Sequence, residues 1–73
     1  MPLKAVDALR IARLASGLTK ADAAHELGVS ARQVMRWESG QAEPLPICAR
    51  RINEWAEERL AGAGLLARAS REA

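Results

Sequence analysis

The stretch LTKADAAHELGVSARQVMRWESG, residues 18–40, constrains the fold more than any other part of the 73-residue chain. It sets two short helical segments on either side of Gly28, Val29 and Ser30. Thr19 and Asp22 have the spacing of a capping box, in which the threonine hydroxyl accepts from an amide of the first turn. Asp22 also sits where the helix end is positive. Ser30 and Gln33 repeat that spacing and predict a second box. Val29 just before the cap and Val34 inside the first turn match a hydrophobic staple. Gly28 closes the first segment and Gly40 the second, because glycine enters the left-handed region without steric cost. Two helices joined by so short a glycine-containing turn form a helix–turn–helix. Ala23, Ala24 and Leu27 give the first helix a small inner face that permits close approach. Val34 and Trp37 face inward on the second, and Arg32, Met35 and Arg36 face away.

The flanking sequence is also helical. A first helix is expected over about residues 3–16, with Pro2 at a position that tolerates proline and Gly17 ending it. Val6, Leu9, Ala12, Arg13 and Ser16 share a stripe, with Ile11 and Leu14 to one side of it. The two prolines of QAEPLP stop helix continuation. A further helix is expected from Leu45 or Pro46 to about Ala61, with Ile47, Ile52, Trp55 and Leu60 as its apolar surface. Arg51, Glu54, Glu58 and Arg59 are placed to pair along it at i,i+4. The last segment, LLARASREA, reads equally as a short fifth helix or a frayed tail. With no strand, repeat or low-complexity signal, the expectation is an all-α chain. It would form a compact bundle of four to five helices in a single domain over residues 1–73, with the helix–turn–helix at 19–39 and a C-terminal helical segment at 45–73.

Composition narrows the rest. Such a short chain buries only about 60% of its unfolded surface, so its core is marginal. The single cysteine, Cys48, excludes an intrachain disulfide, and one cysteine with one histidine, His25, argues against structural zinc. Cys48 is read as a small apolar residue and His25 as an exposed one. The 49% hydrophobic content argues against disorder. No apolar run has membrane-spanning length, the N-terminus lacks a signal-peptide core, and a lone cysteine suits the cytoplasm. A net charge of +2 does not by itself imply nucleic acid, so the placement of the charges decides. No catalytic constellation or phosphate loop is visible. The expectation is no enzyme, no cofactor and no metal.

In a helix–turn–helix the first helix crosses the sugar–phosphate backbone, and the second lies in the major groove of double-stranded DNA. Residues 9–44, LRIARLASGLTKADAAHELGVSARQVMRWESGQAEP, resemble the Cro/C1-type repressors of phages and bacteria. The shared elements are an arginine in the first helix, Gly-Leu-Thr, an alanine in the second helix, Leu-Gly-Val-Ser at the turn and Trp-Glu-Ser-Gly after the recognition helix. The resemblance implies a compact bundle of about five helices, usually dimeric on DNA. It implies that Ser30, Ala31, Arg32, Gln33 and Arg36 form the leading and outward face of the recognition helix, with Ala31, Arg32 and Arg36 at base-facing positions. Arg32 and Arg36 can each donate two bonds to a guanine, Gln33 can bond adenine or phosphate, and Ala31 can touch a thymine methyl. Lys20 takes the place of a phosphate-contacting glutamine. Ser39, Gly40 and Gln41 match a position where backbone amides hold phosphate. Arg13 and Glu38 match a partly buried ion pair between the first and third helices.

These residues point to a sequence-specific DNA-binding regulator, expected to be a repressor acting as a homodimer on a palindromic operator. Trp55, Leu60, Leu65 and Leu66 are candidates for the dimer contact, with core burial an equal reading for Trp55. The alternative is an antitoxin or other interaction protein. Its helix–turn–helix would autoregulate an operon while its C-terminal segment binds a protein partner. The plain reading of any surface arginine, including Arg50 and Arg51, is a solvated helix face.

Overall fold

A glycine with positive φ follows each of the first three helices, and a proline opens the fourth. The computed structural model describes residues 4–62. Four helices form there: α1 (Ala5–Ala15), α2 (Lys20–Leu27), α3 (Ala31–Glu38) and α4 (Pro46–Gly62). At the end of α2 the Val29 amide donates to the Ala24 carbonyl at 3.0 Å and the Gly28 amide to the His25 carbonyl at 3.3 Å. Gly28 has φ +77°. This reverses the chain at once, and Ser30, extended at φ −79° and ψ 153°, restarts it as α3. The same closure recurs at Gly17 and Gly40.

The two expected capping boxes differ. Thr19 Oγ1 accepts from the Asp22 amide at 3.0 Å, and Asp22 Oδ2 accepts from the Thr19 amide at 3.1 Å. Ser30 Oγ accepts from the Gln33 amide at 3.1 Å, but the return bond from Gln33 is not made. An ionised carboxylate gains more from a backbone N–H than a neutral amide does. Only the aspartate therefore completes its box, and those Thr19 bonds hold the Asp22 carboxyl below its ordinary value.

The core draws on every helix: Leu9 and Ala12 from α1, Ala23, Ala24 and Leu27 from α2, Val34 and Trp37 from α3, and Ile52, Trp55 and Ala56 from α4. α1 packs chiefly on α4, α2 on α3, and α1 also touches α3. The helix–turn–helix pair thus rests on a platform made by the first and last helices.

Several expectations for α4 need correction. Ile47 does not join the apolar surface; it is 77% exposed at the start of the helix. Trp55 is core rather than dimer surface, with 8% exposure and its indole N–H donated to Glu26 Oε1 at 2.9 Å. Leu60 is half-buried against the core. Leu65 and Leu66, and the choice between fifth helix and frayed tail, lie outside the described residues. Arg51 and Arg59 do not pair along α4. Arg59 donates to both carboxylate oxygens of Glu26 on α2, through Nε at 2.8 Å and through Nη2. Arg51 Nε donates to the Leu27 carbonyl at 3.0 Å, satisfying an acceptor that the end of α2 leaves open. The i,i+4 pair among the described residues is Arg50 with Glu54 at 3.6 Å, exposed on both sides and worth little.

Candidate nucleic-acid interface

α3 has eight residues and two distinct sides. Val34, Trp37 and Glu38 are buried, while Ala31, Arg32, Met35 and Arg36 are exposed and Gln33 is half-buried. Arg32 and Arg36 stand one turn apart on the open side. Neither guanidinium pairs with a carboxylate among the described residues. Ser30, which caps the helix, is exposed at its leading end, and Lys20 is exposed at the first position of α2. The cationic groups are thus free to meet an anionic surface, and the buried side fixes which face turns outward.

That face is held by a charge cluster beneath it. Arg13 donates to Glu38 twice, Nε to Oε2 and Nη2 to Oε1, each at 2.8 Å. Its Nη1 donates to the Leu18 carbonyl at 3.1 Å. One guanidinium therefore ties α1, the α1–α2 turn and the end of α3 together. The bonds to Glu38 raise the Arg13 pKa, against the opposing effect of burial. Arg10 adds a second cation. It donates to the Glu38 carbonyl oxygen, and its Nε lies 3.7 Å from Glu38 Oε1. Arg10 was not singled out in the sequence; its place three residues before Arg13 on one helix was the available signal.

The segment after α3 differs from expectation. The Ser39 amide donates to the Met35 carbonyl at 3.0 Å, that of Gly40 to Trp37 at 3.2 Å and that of Gln41 to Arg36 at 3.0 Å. Ser39 Oγ also donates to the Arg36 carbonyl, at 3.2 Å. These amides close the helix end and are already used, so they do not form a ready phosphate cradle. The polar group left open there is the exposed Gln41 side chain.

Glu26, another residue not marked in the sequence, joins α2 to α4 through Arg59 and Trp55. Bonds from Arg59 and then Trp55 hold its carboxyl below the ordinary value. With Arg51 on the Leu27 carbonyl, this fixes the far end of α2. Arginines thereby anchor the turn side of α2 to α4 and the end of α3 to α1.

A helix-turn-helix family model matches residues 9–47, more than half of the chain. The match spans the end of α1, both helices of the motif and the turn into α4. The chain belongs to the Cro/C1-type helix-turn-helix family of DNA-binding regulators. Neither a curated protein nor a solved structure matches it. Among the described residues no helix is long and apolar enough to cross a membrane.

Proposed function

We propose that the protein is a cytoplasmic, sequence-specific repressor that binds a palindromic operator as a homodimer, with α3 in the major groove. The observation that carries the reading is the pair of exposed arginines, Arg32 and Arg36, one turn apart on a face whose reverse side is buried. Each can make the two-bond contact to guanine O6 and N7. Ser30, Ala31 and Gln33 complete the reading end, Lys20 takes a backbone phosphate from α2, and Gln41 takes one through its side chain. Ser39 and Gly40 act through the helix closure. One eight-residue helix contacts few bases, so two copies on half-sites about 34 Å apart supply the specificity that one lacks.

Self-association has support in the apolar side chains outside the core. Leu14, Leu45 and Ile47 are 61%, 68% and 77% exposed. The same side chains would serve a protein partner in an antitoxin-like regulator. Sedimentation of the isolated protein with and without operator DNA separates the two: a dimer on DNA supports the first, a monomer on DNA the second.

Selection of bound duplexes from a random pool tests the main reading, which a palindromic consensus would support. On that duplex, Arg32→Ala and Arg36→Ala should each cost about 1–3 kcal/mol and bring operator affinity toward that for random DNA. Lys20→Ala should weaken both alike and lower the salt dependence by about one phosphate's worth. Unchanged operator affinity in the two arginine variants sinks the reading face.

A further inference from the structure

Met35 is a large apolar side chain left 47% exposed on the side of α3 that carries Arg32 and Arg36. Ala31, also exposed, lies four residues earlier, so the two share one stripe along the helix. At about 100° per residue this apolar stripe runs directly beside the basic one formed by Arg32 and Arg36. The core of α3 is complete without Met35, being Val34 and Trp37 with Glu38. A face built to meet only phosphate or water has no use for a large apolar group there. A major-groove floor does: guanine offers two acceptors to an arginine, and thymine is the base that presents an apolar group, its 5-methyl. The unbranched thioether of methionine adapts its shape to such a small target.

We infer that Met35 is a specificity-determining residue that covers the 5-methyl group of a thymine beside a guanine contacted by Arg32 or Arg36. The inference rests on the DNA-reading role proposed above for α3 and extends it to a residue outside the resemblance-based reading set. The α3 face would then read a guanine with one stripe and a neighbouring thymine with the other. Ala31, too short to cover a methyl group a full turn away, would close the flank of the contact.

The probe is a duplex selected by the wild-type protein from a random pool, with each thymine replaced singly by deoxyuridine, which removes the methyl alone. In the wild type, one such replacement should lower affinity about fourfold, the worth of one buried methyl-sized group. Met35→Ala should bind the unmodified duplex about fourfold more weakly and lose nothing further to the same deoxyuridine. Met35→Leu should keep the sensitivity. If no deoxyuridine position is felt by the wild type and ignored by Met35→Ala, the inference is overturned. Arg32→Ala and Arg36→Ala, run on the same duplex, separate the two ideas. If they lose discrimination while the methyl effect is missing, only the Met35 inference falls. If they keep it, or if the pool yields no consensus, the DNA-reading role falls and takes the inference with it.

Discussion

Glu38→Ala is the sharpest test of how α3 is held. The Glu38 side chain is 4% exposed and that of Arg13 is 13% exposed. Truncation leaves Arg13 Nε and Nη2 without their acceptors, while Nη1 keeps the Leu18 carbonyl. Breaking a buried pair by removing one partner costs about 3–5 kcal/mol. The small opening at Arg13 admits water, which puts the expected loss near the low end, about 3 kcal/mol. A domain of this length has about 4–11 kcal/mol in total, so the variant should lose a large part of its stability and melt about 12 °C or more lower. Urea unfolding, followed through Trp37 and Trp55 fluorescence, gives the midpoint and the slope. A loss under about 1 kcal/mol would refute the view that this pair fixes α3. A second variant guards the reasoning: Arg13→Met with Glu38→Leu removes both charges of the pair, losing only the Leu18 carbonyl's donor and the carboxylate beside Arg10, and should recover part of the loss. If the double variant is no more stable than Glu38→Ala, the cost lies in packing and not in the uncompensated charge.

Other outcomes follow from particular contacts. Gly28→Ala should cost about 1–2 kcal/mol through its positive φ alone, since the nearest atom to an added Cβ is Arg51 Nη2 at 4.0 Å; thermal melts should rank Gly28→Asn between the two. Ser30→Ala should cost about 1 kcal/mol in urea unfolding by freeing the Gln33 amide. Acid should destabilise the fold through Glu26 and Asp22. Both carboxyls are held below their ordinary values, so their stabilisation is full above about pH 5 and disappears as pH falls through the lowered values. Glu26→Gln should therefore lie below the wild type at pH 7 and converge with it in acid, as the Glu26 carboxyl becomes protonated; parallel pH profiles would contradict this. Trp55→Phe loses the bond to Glu26, whereas the buried Trp37 Nε1 has no partner among the described residues. Trp37→Phe should thus melt at the higher temperature of the two.

The sequence alone determined the helix positions and the motif. Capping residues and glycines act on the backbone within a few residues of themselves, so Thr19, Gly28, Ser30 and Gly40 mark boundaries that no distant contact needs to supply. The outward direction of Arg32 and Arg36 followed from the same local period. Where a long side chain ends was another matter. Arg51 and Arg59 looked available for partners on their own helix, yet they cross to α2. Pairing along a helix gains only a few tenths of a kcal/mol, and a helix-end carbonyl or a carboxylate already bonded by an indole offers more. Trp55 had equal readings until the packing of α2 against α4 gave its N–H the Glu26 oxygen. The amides of Ser39, Gly40 and Gln41 sat at a phosphate-holding position by resemblance, and the turn geometry uses them instead. Local chemistry set the elements and their faces; tertiary structure chose the partners, because each partner depends on what another helix brings within reach.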